Sequence, residues 1–239
     1  MASLGVGLTE ALYLQISGED VPLKIRRNAQ AKRMTLRIDR TSGDIKVTIP
    51  KRVREKAVMQ FLNTHTDWIR NERSKLDLEL IREGVRLPYL GKEHMISFTG
   101  TAPRTVMCAD SIINVGGPID MAAGRLEKWF RQQAKDKLEI ACRRYAEQLD
   151  VAYNRISIGD MKSRWGSCSS SGTLRFNWRL VLAPSQVLDY VAAHEVSHLL
   201  EMNHSERFWG HVAHCMPDFD IQRKWLKNEG SALFSYQFG

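Results

Sequence analysis

No stretch of about twenty consecutive apolar residues occurs in the chain, so no segment is expected to cross a membrane as a helix. Lysine and arginine are missing from the amino-terminal segment MASLGVGLTEALYLQISGED, and Thr9, Glu10 and Gln15 interrupt its apolar positions. A secretory leader is therefore not expected, and a cytoplasmic location is. The cysteines, Cys108, Cys142, Cys168 and Cys215, include no CxxC pair, which argues for free thiols rather than a disulfide framework. No GxxxxGK[ST] segment is present to cradle phosphates. Internal repeats and low-complexity segments are also missing.

What is present is ordinary for a globular protein: 239 residues, 43% apolar and 26% charged, enough for one large domain or two modest ones. The net charge of +8 is uneven. Residues 21–60 hold 12 Lys/Arg against 3 Asp/Glu, a local field that would attract phosphate-bearing or acidic partners. Protective charges on a solvated strand face explain such a count equally well.

The first half reads as strands. Met34, Leu36 and Ile38 alternate with polar residues, Thr41-Ser42-Gly43-Asp44 signals a turn, and Ile45, Val47 and Ile49 alternate again. An earlier strand near Val21, Leu23 and Ile25 is expected to join this hairpin. Val58, Phe61, Leu62, His65, Trp68 and Ile69 recur at helical spacing and predict one helix over about 52–76. Leu87 to Gly91 reads as a loop or turn, and short strands are expected near 94–99, 104–108 and 111–115. Gly116-Gly117-Pro118 is the strongest break, so the boundary is placed there: a basic, strand-rich domain with one long helix over 1–118, then a catalytic domain over 119–239. The second domain should open with a helix over 120–149. Strands near 155–158 and 174–178 should flank a loop at 166–172. A further helix should be opened by Pro184 and capped by Ser185. The fold class is α+β.

That last helix contains His194-Glu195-Val196-Ser197-His198. Histidines at i and i+4 share one helical face and can converge on one ion, while the glutamate between them stands beside the ion without ligating it. If the helix ends near Glu201 or Met202, a turn at Asn203 brings His204 in as third ligand. Three neutral imidazoles suit zinc and leave a fourth position for water, which Glu195 would activate; another divalent metal would also fit. His211 and His214 compete for the third position but read first as helix-face residues. Asp218 reads as the cap of a last helix, or as a carboxylate orienting a ligand histidine.

These segments resemble a known family. Lys162-Ser163-Arg164-Trp165-Gly166-Ser167-Cys168, Leu174-Arg175-Phe176-Asn177-Trp178-Arg179-Leu180, HEVSHLLEMNHSERFW and Met216-Pro217-Asp218 look like the YgjP-like metallohydrolases, relatives of the SprT and WLM zinc peptidases. Arg26-Arg27, Lys32-Arg33, Leu36-Arg37 and Pro88-Tyr89-Leu90-Gly91 fit as well, so the resemblance runs from about 20 to 230. It implies a zincin-like catalytic domain holding its metal by His194, His198 and His204. The ligand spacing is also that of metzincins, but Glu201 stands where they carry glycine, so the turn must differ. By analogy with zinc peptidases, Arg164 to Cys168, with Arg164, Trp165 and Ser167 among them, would line a cleft beside the metal helix, with Arg164 facing a developing oxyanion or a phosphate.

The expected function is a zinc-dependent hydrolase, foremost a metallopeptidase acting on polypeptide. A metal-dependent nucleoside triphosphate pyrophosphohydrolase is the second reading, with Arg33 and Arg37 among the residues that would hold phosphates. A nucleic-acid-associated protein whose basic domain recruits the hydrolase is the third.

Overall fold

A computed structural model describes residues 4–6, 12–16, 18–39, 42–74 and 78–238. The fold is α+β, and the chain forms two compact units, Met1–Glu79 and Leu80–Gly239.

The first unit is a mixed five-stranded sheet with two helices. Its strands are β1 (Leu4–Val6), β2 (Leu12–Ile16), β3 (Glu19–Asn28), β4 (Thr35–Ile38) and β5 (Ile45–Pro50), in the order β1-β2-β3-β5-β4. Only β3 and β5 run parallel; β4 and β5 form the expected hairpin, with Leu36 opposite Val47. Period-two alternation turns Leu14, Val21, Leu23, Ile45, Val47 and Ile49 inward, where they meet Val58, Leu62 and Ile69. The opposite face carries Lys24, Arg26, Thr35, Arg37, Lys46 and Thr48.

The helix expected over 52–76 is two helices, α1 (Glu55–Thr64) and α2 (Thr66–Ser74); residues 75–77 lie outside the described residues. The break falls at His65, whose Nδ1 donates to the Phe61 carbonyl at 2.8 Å. Thr66 Oγ1 donates to the carbonyls of Leu62 and Asn63 at 3.2 and 3.0 Å. Side chains that bond the preceding turn compete with the backbone ladder and end it. Trp68, placed on the apolar stripe by its spacing, is 42% exposed, because α2 buries only Ile69.

In the second unit a short strand β6 (Glu79–Leu80) leads into β7 (Arg86–Tyr89), β8 (Lys92–Phe98), β9 (Val106–Ala109) and β10 (Ile112–Val115), a sheet of order β7-β8-β10-β9. Leu87 to Tyr89, read as loop, thus belong to a strand; the turn is confined to Leu90 and Gly91, both at positive φ. The Gly116-Gly117-Pro118 break lies inside this unit. A Cβ at Gly116 would meet the Pro103 carbonyl oxygen at 1.9 Å, so the glycines serve a tight turn between strands and helix. Leu87, Ile96, Ile113 and Val115 share one core with α3 (Ala122–Gln148), which explains why the chain does not divide at 118.

Helix α3, about 40 Å long, buries Leu126, Phe130, Ala134, Leu138, Ala141 and Tyr145 at steps of three and four. It is the central support of the unit. A second sheet holds β11 (Arg155–Gly159), β12 (Gly166–Cys168) and β13 (Thr173–Asn177), in the order β11-β13-β12. The segment 166–172, expected as loop, therefore begins as a strand. A 3-10 turn at Trp178–Leu182 then leads to α4 (Ser185–Ser197), α5 (Glu206–Cys215), α6 (Phe219–Glu229) and a last short strand at Tyr236–Gln237. Pro184, not Ser185, is the cap of α4, and the Ser185 hydroxyl turns to Gln186.

The buried Arg179 ties the carboxyl end to this unit. Its Nη1 donates to the carbonyls of Leu233 and Tyr236, both at 3.0 Å, its Nε lies 3.3 Å from Asp160 Oδ1, and its guanidinium covers the Trp178 ring. Replacing Arg179 by Met keeps the volume but leaves two carbonyls short of a charged donor, at a cost of about 3 kcal/mol. A fall in Tm of about 6–12 °C is expected by calorimetry. An unchanged Tm would remove Arg179 from the list of residues that hold the fold.

Candidate metal centre

The α4 helix is built to face inward. Val187, Leu188, Val191, Ala192 and Val196 are buried, so the helix is anchored along most of its length and its last turn is held against the core. His194 and His198 project from that last turn. The helix ends at Ser197, with His198 as cap, four residues before the expected end at Glu201 or Met202. Tight bonds from Leu199 N–H to Val196 and from Leu200 N–H to Ser197 close the turn. The chain then reverses through Asn203, whose Oδ1 accepts from Ser205 N–H at 2.8 Å while its Nδ2 donates to Glu201 Oε1. This is an Asx-type turn, the reversal expected at Asn203.

Ser205 caps α5, its hydroxyl accepting from Phe208 N–H at 3.4 Å. His204 stands immediately before that cap and so faces back to α4. The Nε2 atoms of His198 and His204 each lie 3.2 Å from His194 Nε2. Ligand atoms of the three residues all fall within 4.8 Å of one another. The two ligand nitrogens of a tetrahedral zinc site, each at about 2.0–2.1 Å from the ion, stand about 3.4 Å apart. The spacing of the three imidazoles therefore fits such an ion.

Protonation agrees with that geometry. His198 Nδ1 donates to the Glu201 carbonyl at 3.0 Å, which leaves its Nε2 lone pair for the centre. Burial, then the neighbouring imidazoles and Arg223, push His194 down to about 3. Burial also lowers His198, partly offset by its bond to Glu201 and reinforced by His204. Both stay neutral donors at neutral pH. The Phe208 ring packs against all three imidazoles, with centroids 4.8, 4.4 and 4.8 Å from His194, His198 and His204. Trp209 stacks on His204, and the Arg223 guanidinium lies over the Trp209 ring. These aromatic supports were not singled out from the sequence.

Glu195, one residue on from His194, points about 100° round the helix, toward β12. It is 5% exposed, and burial raises its carboxyl to about 8 against the opposing charge of Arg164. Its Oε2 is buried without a hydrogen-bond partner among the described residues. Oε1 lies over Gly166, where a Cβ would come within 2.4 Å of it. A buried carboxylate oxygen left open beside three convergent imidazoles is unusual, because such atoms are nearly always satisfied. Gly166 lies within the Arg164–Cys168 stretch expected to line the cleft, but its contact with Glu195 was not foreseen.

The other expected site residues are placed as follows. Trp165 tilts against Phe234 at 5.1 Å and covers Gly230, so it packs against the carboxyl-terminal segment. Arg164 is exposed, and its charge acts on Glu195. Ser167 sits mid-strand on β12, opposite Arg175. β12 carries no strand on its other edge among the described residues. His211 and His214 lie outside the triad, on α5. Asp218 is an exposed cap of α6, with no hydrogen bond to a triad histidine. Arg33 and Arg37 belong to the first unit, on the outer face of its sheet.

Comparison with known proteins adds a family. The model described as YgjP-like, metallopeptidase domain, matches residues 32–229. Among solved structures, the crystal structure of the metallopeptidase zymogen of Pyrococcus abyssi abylysin is similar over 38% of this chain and 95% of its own, at 20% identity and a TM-score of 0.35. A likeness that slight carries nothing further about this chain. The curated proteins include no match.

Proposed function

The chain belongs to the YgjP-like metallopeptidase-domain family, and from that premise we propose that it is a zinc-dependent peptidase with His194, His198 and His204 as ligands and Glu195 as general base. The observation that carries this reading is the placement of the Glu195 carboxylate. It is buried over Gly166 of β12, with Oε2 open among the described residues. Zinc held by the three imidazoles would polarise a scissile carbonyl and acidify a water.

The chain's own residues would do the rest. An extended polypeptide adds to the unpaired edge of Gly166–Cys168 through main-chain hydrogen bonds, which hold its carbonyl near the triad without regard to side chains. Glu195 takes a proton at Oε2 from the attacking water and delivers it to the departing amine. Arg164, the cation that acts on Glu195, counters negative charge that develops beside it. Asp218 and Trp165 take no direct part in this scheme.

The test compares zinc-loaded and chelator-treated full-length protein on an unfolded polypeptide and on a panel of nucleoside triphosphates. Polypeptide cleavage that chelation abolishes, with no phosphate or pyrophosphate release, is the expected result. Release from nucleotides without polypeptide cleavage would replace the peptidase by the pyrophosphohydrolase reading. A companion measurement addresses the ligands. His194→Ala is expected to weaken zinc by more than the 10–100-fold that loss of an outer partner typically costs, read by competition with a chromophoric chelator. Affinity equal to that of the wild type would remove His194 from the ligand set.

A further inference from the structure

We propose that the outer face of the first unit's sheet is a binding site for the phosphate backbone of duplex nucleic acid, read without regard to base sequence. A concavity of about 830 Å³ opens on this face, lined by Lys24, Arg26, Lys32, Arg33, Arg37 and Lys46, with no carboxylate in its lining among the described residues. Strand register sets the cations in rows. Lys24, Lys46 and Arg37 stand side by side across β3, β5 and β4, about 4.8 Å from strand to strand. Arg26 begins the next row, about 6.7 Å further along β3, opposite Thr48 and Thr35. Lys32 and Arg33 add to it from the turn between β3 and β4.

Only two of the six are neutralised at the rim. Lys24 pairs with Asp44 and Lys46 with Asp39, both at 2.5 Å. Arg26, Lys32, Arg33 and Arg37 are exposed and make no ion pair among the described residues. Lys24 and Lys46, directly opposite one another, are each offset by their aspartate, so the charge left over lies on Arg26, Lys32, Arg33 and Arg37. Protection of a sheet edge accounts for Arg37 on the edge strand β4. It does not account for Arg26 and Lys46, which lie on the central strands β3 and β5. Arg27, turned to the other face, is consumed by bonds of 3.0 and 2.9 Å to the carbonyls of Lys51 and Val53.

The lining selects among polyanions. It contains no aromatic ring, so it offers no stacking platform for the bases of a single strand or for a free nucleotide. It exposes no large apolar side chain to enter a lipid surface. Phosphates presented in series, with bases turned inward, match four separate cations. This inference stands apart from the peptidase reading, because it concerns other residues and another readout.

The full-length protein is titrated against a labelled duplex of about 20 base pairs by fluorescence anisotropy at several salt concentrations. Four phosphate contacts predict a log–log salt slope of about −3 to −4, and about a hundredfold weaker binding at 200 mM than at 50 mM salt. The combined variant Arg26→Gln, Arg33→Gln and Arg37→Gln should lose most of the binding and about three units of slope. A charge-matched control on the second unit, Lys128→Gln, Lys137→Gln and Arg155→Gln, should bind like the wild type. The proposal is overturned by any of four outcomes: no duplex binding at low salt, equal binding by the triple variant, equal loss in the control, or binding of anionic vesicles with the duplex ignored. Circular dichroism of the triple variant separates lost contacts from lost fold.

Discussion

Glu195→Gln is expected to keep its zinc and to lower kcat by about 10²–10⁴-fold, the range that a positioned general base contributes. The substitution is close in shape, and the carboxamide can occupy the same pocket over Gly166 with its oxygen and nitrogen in place of the two carboxylate oxygens. The triad is untouched, so metal content measured by atomic absorption should match the wild type. What is lost is the basic site at Oε2. A second readout follows from linkage in the metal-free protein. Burial holds the Glu195 carboxyl at about 8, above its ordinary 4.5, so its contribution to stability is complete below pH 4.5 and is lost as pH rises through 8. The glutamine cannot ionise. Metal-free Glu195→Gln should therefore lose less stability than the wild type between pH 5 and 9, followed by chemical denaturation. Full turnover by the zinc-loaded variant would end the assignment of Glu195 as base.

The convergence of the three histidines was legible because helical spacing is local. His194 and His198 share a face whatever surrounds them, and the Asn203-His204 step needs only a reversal soon after the helix. The exact end of α4 was not legible. Leu199, Leu200 and Met202 have good helical propensity, and the helix stops instead because the carbonyls of Val196 and Ser197 are taken by a tighter turn that delivers His204. Gly166-Ser167-Cys168 gave no strand signal because it is short, polar and glycine-led. It is a strand only because Leu174 to Phe176 of β13 pair with it, a non-local partner that periodicity cannot reveal. The same holds for Leu87 to Tyr89, ordered by pairing with β8. The N-terminal hairpin and the 27-residue α3 were legible for the opposite reason, since each carries its apolar period throughout. Gly116 and Gly117 misled as a domain break because a glycine pair marks a sharp turn equally well inside a core unit.

Gly166→Ala tests whether the strand and the helix form one catalytic device. A methyl group there would lie 2.4 Å from Oε1, 2.6 Å from Cγ and 2.7 Å from Cδ of Glu195, distances that cannot be held. Either β12 withdraws or the carboxylate swings away. β12 is fixed along its other side by β13, and it is followed by a turn closed by the Ser169 and Thr173 bonds. The side chain is the softer of the two, so Glu195 should move by about an ångström, a displacement that typically costs about 10²-fold in rate. Zinc affinity should stay at the wild-type value, because the three atoms nearest a Cβ at Gly166 all belong to Glu195. The decisive measurement is a double-mutant cycle. If Gly166 acts through the carboxylate, adding Gly166→Ala to Glu195→Gln should lower kcat little further, whereas independent effects would multiply. A cycle that multiplies would mean that the methyl group obstructs the edge where the polypeptide pairs, and KM rather than kcat would then carry the change. An alanine variant as active as the wild type would mean that the carboxylate position over Gly166 is not the one used in turnover.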